Sequence, residues 1–483
     1  MRRQTAALAA AGLVGLVVLA VNSASLLHAA PPETDSPEMV ALGKAIFFDE
    51  NLSANGTQSC ATCHAPAVGF TGPDSGVNAT TGAYPGAHPN RFGNRKPPTA
   101  AYAGDTPSLY YDEEDEGWVG GLFWDGRATG WVLGDPLAEQ AQGPFLNPLE
   151  QAMPNARALV AKVARAPYAA LFEEVWGPGS LDLARGVEGA YERIARSVAA
   201  YARSAEVNPF SSRFDAFWDA AQAAGKDVTA IRFGGGGGGP GGGGRPGPGG
   251  GGGGGSTDPY GWQNYRGLGL TDAELRGLAA FNDPGRADCA SCHSLAPGSA
   301  GYPLFTDFRY DNLGMPANPD NPFYDMPPAW NPDGAEWVDY GLGGYLQDAG
   351  NEPDVYEPQL GKHRVPTLRN VDLRPSEDVV KAYGHNGYFK TLEDIVLFYA
   401  WRGLVMNGGL GMGGSGMDCS TGGGAGMGPG MGGGDMEMMC NPDLFPPAEV
   451  PMNLTPMNHF NMMDRTNIVA FLKTLSDGEY QRE

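Results

Sequence analysis

The sequence predicts a mainly α-helical fold built from two related modules, and three observations carry that expectation. Little in the 483 residues alternates between apolar and polar with period two, so strands have little support. The pentapeptides Cys60-Ala-Thr-Cys63-His64 and Cys289-Ala-Ser-Cys292-His293 repeat one pattern, and each follows a short helical segment. Between them lies Gly234 to Gly255, 22 residues of which 18 are glycine, a stretch with no side chains to bury and a large ordering entropy.

Taken in order, the chain opens with Arg2 and Arg3, an apolar run from Ala6 to Val21 and a small-residue stretch ending Ala29-Ala30-Pro31. That is the layout of a secretory signal peptide over residues 1–30. Its apolar core is short for a membrane span of about 20 residues, so a membrane is involved only if the segment stays uncleaved as an anchor. The first module is expected over 31–232. It begins with Ser36-Pro37, an N-cap with proline at the first helical position, and a helical run from Met39 to Phe48. Later in the same module Val187, Tyr191, Ile194, Val198 and Tyr201 form an amphipathic stripe that reads as a core helix.

A disordered linker or loop is expected over 233–256, and a second module over 257–483. There Thr271-Asp-Ala-Glu274 is a capping box leading into Leu275, Leu278, Ala279 and Phe281 at helical spacing. Thr391, with Asp394, caps a helix that carries Leu392, Ile395, Val396 and Tyr399 on one inward face. The tract from 403 to 440 holds eight of the 17 methionines. Soft thioethers select copper(I), while a mobile surface loop is the plainer reading, with Cys419 and Cys440 able to close a disulfide across it.

The repeated pentapeptide carries the chemistry. Two thiols three positions apart can take thioether bonds from the vinyl groups of a haem, and the histidine that follows reaches the iron. Zinc is the competing reading, but 225 residues separate Cys63 from Cys289 and a zinc ribbon wants a short span. A dithiol redox pair gives no reason for a histidine in both copies. The expectation is two covalently bound haem c groups, with Cys60, Cys63, His64, Cys289, Cys292 and His293 as their attachment and ligand residues. A short helix delivering the chain to such a motif is how small c-type cytochromes are built. Bacterial haem attachment occurs outside the inner membrane, so the expected location is the periplasm.

Lys plus Arg total 32 against 55 Asp plus Glu, a net charge of −23. Such acidity repels nucleic acid and anionic lipid, and it steers a basic electron-transfer protein toward the surface.

The segments flanking both motifs resemble the bacterial di-haem cytochrome c peroxidases and their relatives, the MauG-type enzymes. The resemblance rests on Leu42-Gly-Lys-Ala-Ile-Phe-Phe-Asp49, Phe123-Trp-Asp-Gly-Arg127, Gly143-Pro-Phe-Leu-Asn-Pro-Leu-Glu150, Val365-Pro-Thr-Leu-Arg-Asn-Val371 and His385-Asn-Gly387. It implies two cytochrome-c-like domains packed across a di-haem interface, with hydrogen peroxide meeting the first haem and the second receiving and storing electrons. It implies Glu150 as the distal acid that moves the peroxide proton, Gln140 in the same pocket, and Trp124 between the haems.

Tyr399, 14 residues after His385, falls where scavenging cytochrome c peroxidases carry a methionine ligand and MauG-type enzymes a tyrosine. Tyr399 as plain core, or Met406 as the ligand, are the competing readings. His88 lies seven residues before Arg95, the offset of a displaceable ligand to the first haem in the scavenging enzymes; a surface histidine in a Pro/Gly-rich loop is the alternative. The family's interdomain calcium is in doubt, because Lys96 replaces an asparagine and the segment after Asn370 is longer and lacks a threonine. The expected function is a MauG-type peroxidase acting on a protein substrate, with a scavenging peroxidase fed by a small cytochrome as runner-up. A non-catalytic di-haem electron carrier and a copper-binding surface protein are the readings from other classes.

Overall fold

Helices Pro37–Phe47 and Val187–Arg203 cross at a point where Gly43 touches the backbone of Ser197. A Cβ at Gly43 would lie 1.8 Å from the Ser197 carbonyl oxygen, so only glycine permits this approach. The second half repeats the device. Helices Asp272–Asn282 and Met462–Lys473 cross where a Cβ on Gly277 would lie 2.0 Å from the Asn467 carbonyl oxygen. These paired crossings set up two cores. One is built on Leu42, Ile46, Phe145, Phe172, Ile194 and Tyr201. The other is built on Leu275, Leu278, Phe281, Phe305, Phe398 and Phe471. Each buried side chain of this size contributes roughly 1.5–3 kcal/mol.

This computed structural model describes residues 35–233, 258–406, 447–451 and 460–480. The expected signal peptide, the glycine tract and the methionine-rich tract with Cys419 and Cys440 lie outside them. The fold is mainly α, as expected. The described strands form two short antiparallel pairs, Tyr110–Asp112 with Gly117–Val119 and Tyr310–Asp311 with His363–Arg364. No helix among the described residues is long and apolar enough to cross a membrane.

The chain from Pro37 onward is one compact unit. Helix Arg213–Ala223 precedes the glycine tract in sequence, yet its Phe214, Phe217 and Trp218 pack in the second core. Its Asp215 forms a wholly buried, two-pronged ion pair with Arg369, at 2.9 and 3.0 Å. Arg369 also donates to the Pro303 carbonyl and lies over the rings of Tyr102 and Phe210 from the first half. One guanidinium thus joins both cores.

Candidate functional site

Each Cys-x-x-Cys-His motif closes on itself: His64 donates its backbone N–H to the Cys60 carbonyl, and His293 does the same to Cys289. The two rings are then fixed from a distance. Nδ1 of His64 lies 3.1 Å from the Phe70 carbonyl oxygen, and Nδ1 of His293 lies 3.0 Å from that of Phe305. A carbonyl only accepts, so in both rings Nδ1 carries the hydrogen and Nε2 keeps the lone pair that binds iron. Burial holds both imidazoles below their ordinary pKa, in the neutral form a ligand needs.

Phe70 and Phe305 take left-handed backbone angles, with φ of 56° and 54°. Strain of this kind in an aromatic residue costs about 1–3 kcal/mol and persists where the surroundings fix it. Sequence reasoning missed both residues. The signal was there in the shared Phe-Thr dipeptides, Phe70-Thr71 and Phe305-Thr306.

The four thiols do not converge on one metal. Among the described residues, the one group of three or more His, Cys, Asp and Glu with ligand atoms in reach of one another is Asp339, His363 and His385. Burial first, and the charge of Glu150 second, push the Cys60 and Cys63 thiols up to about 12, and burial does the same to Cys289. Each pair of thiols stands beside its own iron-ready imidazole, and the two pairs share no common metal-binding group. The donor set therefore fits a haem at each motif.

Each motif opens onto a cavity. The first, about 140 Å³, is lined by Cys60, Cys63, His64, Gln140, Pro144, Arg127 and Glu150. Glu150 sits on the turn that ends helix Pro136–Leu146, where the Asn147 amide donates to its Oε1 at 2.8 Å. Burial raises the pKa of its carboxyl, with Arg127 and the Asn147 hydrogen bond pulling the other way. The second cavity, about 620 Å³, is lined by Cys289, Cys292, His293, Val396 and Tyr399. Helix Leu392–Met406 turns Tyr399 to this wall as its apolar face predicts, and Met406 ends that helix two turns later.

Trp124 lines both cavities, and so do His64, Gln140 and Lys96. Its Nε1 donates to the Lys96 carbonyl at 2.9 Å, and its ring meets His385 edge-on with centroids 6.4 Å apart. Asp125 behaves as a structural partner, bridging Arg95 and Arg127. Arg127 also covers the Phe123 ring at 3.8 Å.

His88 is not brought to either cavity. It is half-buried in a turn where its carbonyl accepts from the Arg91 N–H, and Pro89 follows it. The Asp339, His363 and His385 group was also missed. The two imidazoles stack at 3.6 Å, and Asp339 receives a two-pronged bond from Arg95. Burial opposes the charge on Asp339, yet Arg95 and His363 hold its pKa well below the carboxylate range. With its carboxylate already committed to Arg95, the group is an ion-pair network beside Trp124. Its sequence signals were His363, two residues before Val365-Pro366, and His385 of the His-Asn-Gly motif.

Known proteins resemble this chain in sequence and in fold. A family profile described as di-haem cytochrome c peroxidase matches residues 37–223. Methylamine utilization protein MauG of Paracoccus denitrificans is 32% identical over 390 residues, covering 80% of each chain. Cytochrome-c peroxidase IdrP1 of Denitromonas iodatirespirans is 28% identical over 382 residues, covering 76% of this chain and 75% of the relative. Among solved structures, the diheme peroxidase BthA of Burkholderia thailandensis superposes with a TM-score of 0.61 at 28% identity, covering 92% of this chain and 87% of that one.

Proposed function

Because this chain belongs to the di-haem cytochrome c peroxidase and MauG family, and is an oxidoreductase with haem cofactors, we propose that it is an exported MauG-type peroxidase. In this reading hydrogen peroxide reacts in the Glu150 cavity, and the oxidising equivalents are shared with a second site held by His293 and Tyr399. The observation that carries it is Trp124, whose one indole lines the cavity with Glu150 and the cavity with Tyr399. When bound, the two haems supply iron and porphyrin that accept and return electrons.

The chain's own residues do the rest. Glu150 takes the proton from the bound peroxide and returns it to the oxygen that leaves as water, and its raised pKa brings it nearer to the pH at which it works. Asn147 fixes which carboxylate oxygen faces the cavity. Gln140 shares that wall. Trp124, tied by Nε1 to the Lys96 carbonyl, passes electrons between sites too far apart for one fast step. Phe70 and Phe305 hold the two imidazoles in the iron-binding tautomer. A phenolate at Tyr399 favours ferric over ferrous iron, which suits storage of oxidising equivalents better than a thioether would.

The substrate in this reading is a protein met outside the inner membrane, and the net charge of −23 suits a basic partner. Relatives named as cytochrome c peroxidases keep a second reading open, reduction of peroxide to water with a small cytochrome donor. The test adds one equivalent of peroxide to the purified ferric holoprotein, without donor, and follows both haems optically and by EPR. A change at both haems that persists for minutes supports the proposal. A change at the first haem alone, or none until a reduced cytochrome is added, favours the scavenging reading.

A further inference from the structure

We propose that Lys381 supplies, from within the chain, the cation that ties the loop after the first haem motif to the second half, so that no divalent ion is bound there. Lys381 is 4% exposed. Its Nζ donates to three backbone carbonyls, those of Val68 at 2.9 Å, Asn370 at 3.0 Å and Leu373 at 2.9 Å. Val68 lies four residues beyond His64, whereas Asn370 and Leu373 belong to the segment that follows Val365-Pro366 of the second half. An ammonium has three donors and no acceptor, so it matches three carbonyls one for one, and a neutral amine does not.

The surroundings are built for this tie. Asn370 holds a left-handed backbone with φ of 60°, and its side chain is anchored to Asp477 at 2.7 Å. A Cβ added to Gly69 would meet the Asn370 Cβ at 2.7 Å, so the two loops are already in contact.

The same donor set argues against the calcium that the family resemblance implies. Calcium takes six to eight oxygen ligands and favours carboxylates. Here three carbonyls point at an ammonium, and the buried Lys96 is close enough to oppose its charge. Burial first and Lys96 second pull the Lys381 pKa down to about 7, and hydrogen bonds from the charged form to three carbonyls favour that form. Asp372 and Arg374 also face it, with opposite effects. The residues present do not fit the divalent ion.

The experiment uses the holoprotein purified without chelator. Elemental analysis is expected to find below about 0.1 calcium per chain, and melting curves in calcium and in EGTA should agree within about 1 °C, because a ligand that does not bind the native state cannot stabilise it. Near-stoichiometric calcium, with a melting temperature that calcium raises by roughly 5 °C or more, overturns the proposal. Lys381→Met keeps the stem and removes the tie, and it should melt several degrees lower with or without calcium. A Lys381→Met protein as stable as wild type would also contradict it. None of these readouts depends on peroxidase activity, so they stand apart from the function proposed above.

Discussion

Trp124 and His385 occupy matching positions in the two halves and meet edge to face, with ring centroids 6.4 Å apart. Each is the second residue of a loop closed by one antiparallel bridge, Leu122 to Ala128 around Trp124 and Tyr383 to Phe389 around His385. Each loop turns on a left-handed glycine, Gly126 or Gly387. Lys96 holds the pair together: its N–H donates to the His385 carbonyl at 2.8 Å, and its own carbonyl accepts from Trp124. An amide oxygen is too weak a base to take the indole proton, so an oxidised Trp124 keeps its positive charge.

Such a charge would face the Lys96 ammonium, which lies 5.9 Å from the ring centroid. Two unit charges at such a distance repel by roughly 3 kcal/mol at an effective dielectric constant of about 20. Lys96→Met is therefore expected to make Trp124 easier to oxidise and to speed equilibration between the haems. Trp124→Phe should slow it by an order of magnitude or more while leaving the first reaction with peroxide unchanged. Stopped-flow spectra recorded separately for the two haems measure both.

Glu150→Gln should slow the reaction with peroxide by about two to four orders of magnitude and leave both haem spectra nearly intact. The wild-type rate is expected to rise with pH as the carboxyl ionises, at a pH above the ordinary carboxylate range because burial raises its pKa. Stability moves the other way. The folded protein binds this proton more tightly than the unfolded chain, so it has the higher proton count between the two pKa values and loses stability as pH rises through them. The glutamine variant lacks that slope. Melting curves against pH compare the two.

How much of this was legible in the sequence depends on how local the signal is. The haem motifs, the capping boxes before Leu275 and Leu392, and the inward face that carries Tyr399 are written within a few residues, and the helical fold follows from them. The Glu150 and Trp124 positions were read from ordered motifs and do line the cavities. The Phe70 and Phe305 carbonyls were missed, because an aromatic residue at positive φ runs against local preference and the shared Phe-Thr dipeptide does not by itself name an acceptor for the histidine. Helix Arg213–Ala223 lies in the stretch expected as the first module yet packs in the second core, and only the distant Arg369 shows where Asp215 goes. Lys381 carried no pattern at all. Its meaning lies in three carbonyls from residues 8 to 313 positions away.

Arg369→Met should cost about 3–5 kcal/mol of stability by leaving Asp215 charged and buried without its partner. Replacing both, as Asp215→Leu with Arg369→Met, should recover a large part of that loss. Denaturant unfolding of the three proteins tests it. An additive loss in the double variant would mean that the pair is not energetically coupled.

The central claim, that His293 and Tyr399 hold the second iron of a MauG-type peroxidase, is tested most directly by EPR and near-infrared spectra of the ferric protein and two variants. The wild type is expected to show one low-spin haem without a methionine-to-iron charge-transfer band. Tyr399→Phe should convert that haem to another coordination state and leave the first haem's signal alone, and Met406→Leu should change neither. Loss of an axial ligand in Met406→Leu, with Tyr399→Phe silent, would contradict the account and make the scavenging peroxidase the better reading.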